Sequence, residues 1–457
     1  MRILLISTYE LGRQPFGLAS PAAWLRANGH EVTLADLSRA PLPADAVEQA
    51  DLIAFFLPMH TATRLFAPVA ERVRQLNPRA HLCAYGLYAP LNEPYLRSAG
   101  VSTIMGGEFE QPLMDLARRL ADGGAPPGET LVSLARQRFL PPDREGLPPL
   151  ASYARLVLNG SRRIAGYTEA TRGCKHLCRH CPVVPVYGGR FRIVQREIVM
   201  EDIRRQVAAG AEHVTFGDPD FFNGPGHAIP IVEALHREWP ALTYDVTIKI
   251  EHLLEHRDLL GTLKETGCVF VTSAVESFDD AVLEKLAKGH THAGFREALA
   301  ITRAAGLPLA PTFIPFTPWS TRESYRAFLR ELAALDLIEQ IAPVQLAIRL
   351  LIPKGSLLLE LEEIRGMIDP FDSRALVYPW RNPDPWMDSL QSAIQRKIQE
   401  EERRGASRSE IFPALWELAE CGPLPDELSR ISQTAIPRLT EAWYCCAEPT
   451  EDQEALV

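Results

Sequence analysis

Short, nearly continuous apolar runs alternate along this chain with longer stretches in which apolar residues recur every three or four positions. The first pattern is that of a parallel strand buried on both faces, and the second that of a helix lying over it. Over the first 125 residues, runs at 2–7, 31–36, 51–57, 80–85 and 101–105 predict strands, with helices at 19–28, 63–76 and 111–120. Strands alternating with helices make a doubly wound, Rossmann-like α/β sheet whose ligand sites lie at the strand carboxyl ends. No GxGxxG follows the first run, so a nicotinamide dinucleotide is not expected.

A Gly- and Pro-rich stretch at 121–128 and a Pro-rich one at 141–150 mark a linker, taken as 126–164. Beyond it, strand candidates at 167–171, 213–216, 243–249, 269–275, 309–316 and 344–351 recur with helices at 200–209, 228–239, 253–266, 295–304 and 321–335. Six such repeats over 165–355 suggest a partial (β/α)6 TIM-like barrel, with its chemistry at the strand carboxyl ends. Residues 356–457 read as a helical extension, with helices at 386–403 and 410–419 and breaks at Pro423 and Pro437.

Composition narrows the function classes. A chain of 457 residues exceeds one ordinary core, and 46% hydrophobic with 23% charged residues is soluble-globular usage. A net charge of −10 argues against a nucleic-acid backbone as partner. No apolar run is long enough to span a membrane, and residues 1–6 enter a strand pattern, not a signal peptide. A cytoplasmic location is expected. Eight cysteines fit a reducing compartment better than a disulfide framework, and Cys83, Cys268 and Cys421 read as core thiols.

Three of the eight fall inside eight residues, Cys174, Cys178 and Cys181, spaced CxxxCxxC. Cysteine thiolates are the usual ligands of iron–sulfur clusters, and three of them leave one iron of a 4Fe–4S cube open to a ligand. Zinc on these cysteines plus His176 or His180 is the rival reading. Inert core thiols do not suit a loop carrying Lys175, Arg179 and His180.

This spacing, after a short strand and before a βα series, resembles the radical S-adenosylmethionine (SAM) superfamily. The resemblance implies a 4Fe–4S cluster on Cys174, Cys178 and Cys181 whose open iron is chelated by SAM. It extends to later strand ends. Gly217, Asp218 and Pro219 stand where the family has a GGEP-like turn for the methionine amino group. Lys249, Glu276 and Ser277, followed by Leu283 and Lys288-Gly289, resemble cobalamin-type members, in which such residues bond the ribose or the SAM carboxylate. Thr312 and Ile314 occupy the position of a GxIxG adenine contact, with Pro311 and Pro315 in place of both glycines. Arg349 lies in an apolar run and needs a partner, either the SAM carboxylate or a structural carboxylate.

The first 125 residues are similar to the cobalamin-binding domain that precedes many such barrels, on Gly17-Leu18-Ala19, Gly29-His30-Glu31-Val32 and Gly107-Glu108-Phe109-Glu110. They lack the DxHxxG of an axial histidine, so a domain that binds no corrinoid stays open. The end, Trp443-Tyr444-Cys445-Cys446-Ala447-Glu448-Pro449, resembles the CUAEP/CCAEP-tail radical SAM proteins, with Cys446 at the selenocysteine position. The whole layout resembles the radical SAM enzymes of arsinothricin biosynthesis. That implies transfer of the 3-amino-3-carboxypropyl group of SAM to trivalent arsenic held by Cys445 and Cys446, forming a carbon–arsenic bond. Expected partners are then arsenite or another small thiophilic substrate, and a reductant such as flavodoxin or ferredoxin. The alternatives are a cobalamin-dependent radical SAM methyltransferase and, from another class, a non-catalytic metal or thiol redox sensor.

Overall fold

The computed structural model describes residues 1–424, 436–441, 448–450 and 453. Its first sheet holds β1 (Arg2–Ser7), β2 (Glu31–Asp36), β3 (Leu52–Phe56), β4 (His81–Tyr85), β5 (Thr103–Gly107) and β6 (Leu131–Ser133), all parallel, in the order β2-β1-β3-β4-β5-β6. Side-chain alternation covers both faces: Leu4, Ile6, Ile53 and Phe55 enter one core, and Ile3, Leu5, Leu52 and Ala54 enter the other. The strand order reverses between β1 and β3, and such a reversal opens a crevice outside the strand carboxyl ends. β6 falls within the stretch expected to be linker and adds to β5 as an exposed edge, with Leu131 at 42% exposure.

The remaining strands are β7 (Arg155–Leu158), β8 (Ser161–Thr168), β9 (Thr171–Gly173), β10 (Phe191–Ile193), β11 (His213–Phe216), β12 (Thr243–Thr247), β13 (Cys268–Glu276), β14 (Leu309–Phe313) and β15 (Arg438–Leu439). Seven form a second sheet in the order β14-β13-β12-β11-β8-β7-β15, in which β8 and β11 to β14 run parallel. Tyr244, Val246, Val271 and Leu309 turn outward under the helices, so Asp245, Thr247 and Thr272 face the bore. The helices Pro385–Arg403 and Arg408–Leu418 place Leu390, Ile394, Phe412 and Trp416 in the same core as the barrel helices.

Two expectations need correction. The strand expected at 167–171 starts earlier and ends at Thr168, and Thr171–Gly173 pairs separately with Phe191–Ile193 as a two-stranded hairpin. The sixth barrel strand at 344–351 does not form. Pro343–Leu346 is a 3₁₀ turn, and the Gln345 side chain accepts the Phe313 amide at 3.0 Å. With that ladder donor taken, only a parallel bridge between Phe316 and Arg349 remains. Among the described residues no helix is long and apolar enough to cross a membrane.

Candidate active site

The cysteine loop leaves β9 at Gly173, whose φ is +75°. A Cβ there would meet the Tyr187 ring at 2.3 Å and the Arg190 carbonyl at 2.5 Å, so only glycine serves. Asn223, from the turn after β11, pins the start of the loop. Its Oδ1 accepts the Lys175 amide at 3.1 Å and lies 3.7 Å from the Cys174 Sγ, and its Nδ2 donates to the Gly173 carbonyl at 3.3 Å. Arg179 ties the far side, donating to the Glu284 and Lys285 carbonyls at 3.0 and 2.9 Å.

The three thiols lie within one another's electrostatic reach. Burial pushes the Cys174 thiol up to about 11 and the Cys181 thiol up to about 12, and the Cys178 sulfur raises both. The buried Lys288 ammonium faces Cys178 and Cys181. Crowded thiols that resist ionising alone lose their protons to a soft cation, which supplies the charge they need. The donor set therefore fits a 4Fe–4S cluster, with the Lys288 charge offsetting part of its thiolates. Both nearby imidazoles hold another side chain through Nε2, while His180 Nδ1 has no hydrogen-bond partner among the described residues. His180 Nε2 lies 3.2 Å from Glu276 Oε1, and His176 Nε2 lies 3.2 Å from His252 Nε2. Cys174, His176 and Asp220 do bring donor atoms within 4.8 Å of one another, but Asp220 is held at 2.6 Å by His252 Nδ1.

Strand-end residues ring the loop. Glu276 closes β13 at φ +71°, a left-handed conformation that costs a non-glycine residue about 1–2 kcal/mol. Burial would raise its carboxyl, but Lys288 at 3.3 Å and His180 at 3.2 Å outweigh that and hold it at about 2. Glu276 is thus a fixed carboxylate beside the cysteines. Lys249 precedes the helix Ile250–Glu255, and its Nζ donates to Glu251 at 2.9 Å. Gly217 lets β11 pass under Tyr167, since a Cβ would lie 1.8 Å from that hydroxyl.

Other expected contacts are placed differently. Asp218 is fully buried, its Oδ2 accepting from the Ala170 amide at 2.9 Å and its Oδ1 from the Thr171 hydroxyl at 2.5 Å. Its carboxylate braces the approach to the cysteine loop and is not turned out to an ammonium. Ser277 accepts the Asp279 amide at 3.0 Å, ahead of the helix Asp280–Lys285. Ile314 packs with Val282 and Leu286 in an apolar cluster. Arg349 pairs with Asp388 at 2.6 Å and stacks on Trp380 at 3.6 Å, so its partner is the protein. Thr312 lines a cavity in the bore. Cys445 and Cys446 lie outside the described residues, between Glu441, whose Oε1 accepts from the Tyr9 hydroxyl at 2.7 Å, and Glu448, 3.1 Å from His60 Nε2.

The Asp218 site carries a pH prediction. Burial, only partly offset by the Thr171 and Ala170 bonds, pushes its carboxyl from 3.8 to about 7. The folded state then binds this proton more tightly than the unfolded one, so stability falls as pH rises from 3.8 to about 7. The slope amounts to about 4 kcal/mol over that window. Asp218→Asn, which has no proton to lose, is expected to flatten this part of the curve in thermal melts across the window. A variant with the same slope as the parent would overturn the assignment.

A second group, absent from the sequence expectations, joins the two halves. Arg172, buried two residues before Cys174, pairs with Glu110 at 2.7 Å, Glu169 at 2.7 Å and Glu108 at 3.6 Å. Its guanidinium lies about 5 Å from the Phe109 and Phe139 rings. Burial lifts Glu108 and Glu169 above the usual carboxylate range, while Glu110, held by Arg172, Ser20 and Gln137 against the same burial, stays below it. Glu108 and Glu110 sit just past β5, so the network seats the first sheet's carboxyl edge on the cysteine strand. His252, Asn223 and Arg172 were not legible as site residues, because each acts on a partner at least 48 positions away in the chain.

Between the halves lies an open cavity of about 180 Å³. Phe56, Gly86, Gly107 and Phe109 line it from the first sheet, and Arg172, Gly173, Tyr187 and Gly217 line it from the barrel. Bare backbone at the glycines keeps side chains out of it, and the rings of Phe56 and Phe109 form part of its wall. No histidine lines it among the described residues.

Residues 168–332 match the model of the radical SAM superfamily, a likeness that implies a 4Fe–4S cluster and SAM. The chain is 26% identical over 341 residues to the hopanoid C-3 methylase of Methylococcus capsulatus, covering 69% of this chain and 64% of that protein. Its fold is similar to that of the cobalamin-dependent SAM radical enzyme OxsB, solved with aqua-cobalamin and SAM, at a TM-score of 0.67 and 14% identity over 87% of this chain and 66% of the other. It is also similar to the radical SAM methyltransferase TsrM of Kitasatospora setae, solved with cobalamin and a 4Fe–4S cluster, at 0.58 and 17% identity over 73% of each chain. The chain thus spans just under two thirds of the methylase and of OxsB.

Proposed function

We propose that this chain is a cobalamin-dependent radical SAM enzyme that transfers a methyl group to a small molecule. The observation that carries the reading is the cavity between the first sheet's carboxyl edge and the cysteine strand, which Arg172 and Gly173 share with Gly107 and Phe109. The fold shared with OxsB and TsrM and the sequence likeness to the methylase support it. Cys174, Cys178 and Cys181 would hold the cluster, and Phe56, Phe109 and the glycine backbone would hold the corrinoid. Lys249, with Glu251, and the carboxylate of Glu276 would orient SAM. When bound, the cluster supplies the electron that cleaves SAM and the corrinoid supplies a centre for alkyl transfer. The chain itself keeps Glu276 ionised, sets the Lys288 charge against the thiols and holds the two halves in register through Arg172.

The test is anaerobic reconstitution followed by corrinoid titration and product analysis with dithionite, the electron source standing in for a flavodoxin or ferredoxin. Corrinoid binding at one per chain, with S-adenosylhomocysteine formed only when corrinoid is present, is the expected result. SAM products indifferent to corrinoid would overturn it. A second reading, aminocarboxypropyl transfer to arsenite at Cys445 and Cys446, rests on the adjacent cysteines of the sequence alone. Methylthioadenosine that appears only with arsenite, and is lost in Cys446→Ser, would select that reading.

A further inference from the structure

The barrel does not close, and the gap between its edge strands is walled into a second cavity of about 80 Å³. Asp245, Thr272 and Thr312 line it from β12, β13 and β14, and Arg438 lines it from β15 at the opposite edge of the sheet. Arg408, the first residue of the helix Arg408–Leu418, completes the wall. The volume is that of two or three water molecules at about 30 Å³ each, or of one carboxylate or phosphate group.

Three guanidinium groups, Arg13, Arg408 and Arg438, line it against two carboxylates, Asp245 and Glu441, which leaves one positive charge in excess. Asp245 spends its Oδ1 on His213 at 2.8 Å and Thr215 at 2.6 Å, and Glu441 spends its Oε1 on the Tyr9 hydroxyl. Arg408 donates one nitrogen to the Glu339 carbonyl at 2.6 Å and lies in the field of the Glu339 and Glu402 carboxylates, neither of which closes to an ion pair with it among the described residues. Burial, and then the neighbouring Arg438 charge, push the Arg408 guanidinium down to about 10. The surplus guanidinium charge on this wall is stabilised by an oxyanion, to which a guanidinium fork makes strong paired hydrogen bonds. Thr272 and Thr312 add two hydroxyls on adjacent strands.

We propose that this bore cavity binds an oxyanion, a carboxylate or phosphate group carried by the substrate, between Arg408 and Arg438. Calling the ligand a substrate rests on the proposed function; the anion site itself rests on the cavity. The site would anchor a small acidic molecule from the gap side, with its remainder extending toward the cysteine end of the bore.

The test is calorimetric titration of the full reconstituted chain with inorganic phosphate and, separately, with malonate, in low salt. One site is expected, with either anion, and affinity at least tenfold weaker in Arg408→Gln and in Arg438→Gln. Preference for phosphate identifies a phosphorylated ligand, and preference for malonate a carboxylate. No binding of either anion, or equal binding by parent and variants, overturns the site. If Arg408→Gln does not fold, Arg438→Gln decides alone, since its side chain lies on the short edge strand β15. Corrinoid uptake on the same preparations separates the two readings. Anion binding without corrinoid upholds this site and sinks the proposed function, whereas corrinoid without anion binding sinks the site only.

Discussion

Cys178→Ala is expected to lose the cluster outright: no bound iron above background, no broad visible absorbance that bleaches with dithionite, and no SAM cleavage by any product. The other two thiols cannot hold the cube alone, because each iron corner without a protein ligand is open to solvent and hydrolysis. Cys178 is also the central sulfur of the three. It raises both the Cys174 and the Cys181 thiols and lies in the field of Lys288, so its removal leaves that buried ammonium facing fewer thiolates. The first domain does not use this residue, and corrinoid uptake by the variant is expected to persist at reduced affinity. A variant that still binds iron and cleaves SAM would mean that the cluster ligands lie elsewhere.

Arg172→Met is expected to cost about 3–5 kcal/mol in folding stability, the usual penalty for stranding one side of a buried ion pair. Three carboxylates, Glu108, Glu110 and Glu169, converge on this single guanidinium, and Glu110 is fully buried. The loss has a definite pH dependence. In the parent, burial acting alone would raise Glu110, but Arg172 holds its carboxyl below the ordinary value of 4.5, so this contribution is present above 4.5 and fades on acidification. In the variant the same carboxylate is buried without a cation and gains by taking up a proton. The stability gap is therefore widest near neutrality and narrows toward pH 4.5. Chemical denaturation of both proteins across that range measures it. The functional signature is a fall of at least tenfold in corrinoid affinity, with the cluster retained, because Arg172 lies on the wall shared by the two halves. Adding Glu110→Gln to Arg172→Met should recover part of the lost stability. A gap that stays constant with pH would show that Arg172 acts through packing on Phe109 and Phe139 and not through its charge.

The two predictions concern residues six positions apart, yet only the first could be made from the sequence. CxxxCxxC announces itself, since thiols so close in sequence reach one metal group whatever surrounds them. Arg172 looks like any other basic residue until Glu108 and Glu110, more than 60 positions earlier, are folded onto it. Asp218 shows the opposite error. In sequence it stood where a carboxylate meets an ammonium, but in the structure the Ala170 amide and the Thr171 hydroxyl occupy it. Arg349 was left between SAM and a structural carboxylate, and Asp388, 39 residues on, takes it.

The local pattern was enough for the strands. β1, β2 and β11 match their predicted spans to the residue; β1 and β11 are buried along nearly their whole length, whereas β2, at the sheet edge, alternates exposed Glu31 and Thr33 with buried Val32 and Leu34. The same pattern misread 344–351, where the residues are apolar but the ladder partner is missing: Gln345 caps the Phe313 amide that a sixth strand would have paired. Sequence by itself determined the α/β class and pointed to Cys174, Cys178 and Cys181 as cluster ligands, since each depends on residues that are neighbours along the chain. Tertiary structure alone decided which charges meet across the domain interface, which strand-end polar groups are spent on the backbone, and that Arg408 and Arg438 line one cavity. Those are properties of pairs brought together by folding, and burial fixes their energies only after the pairing exists.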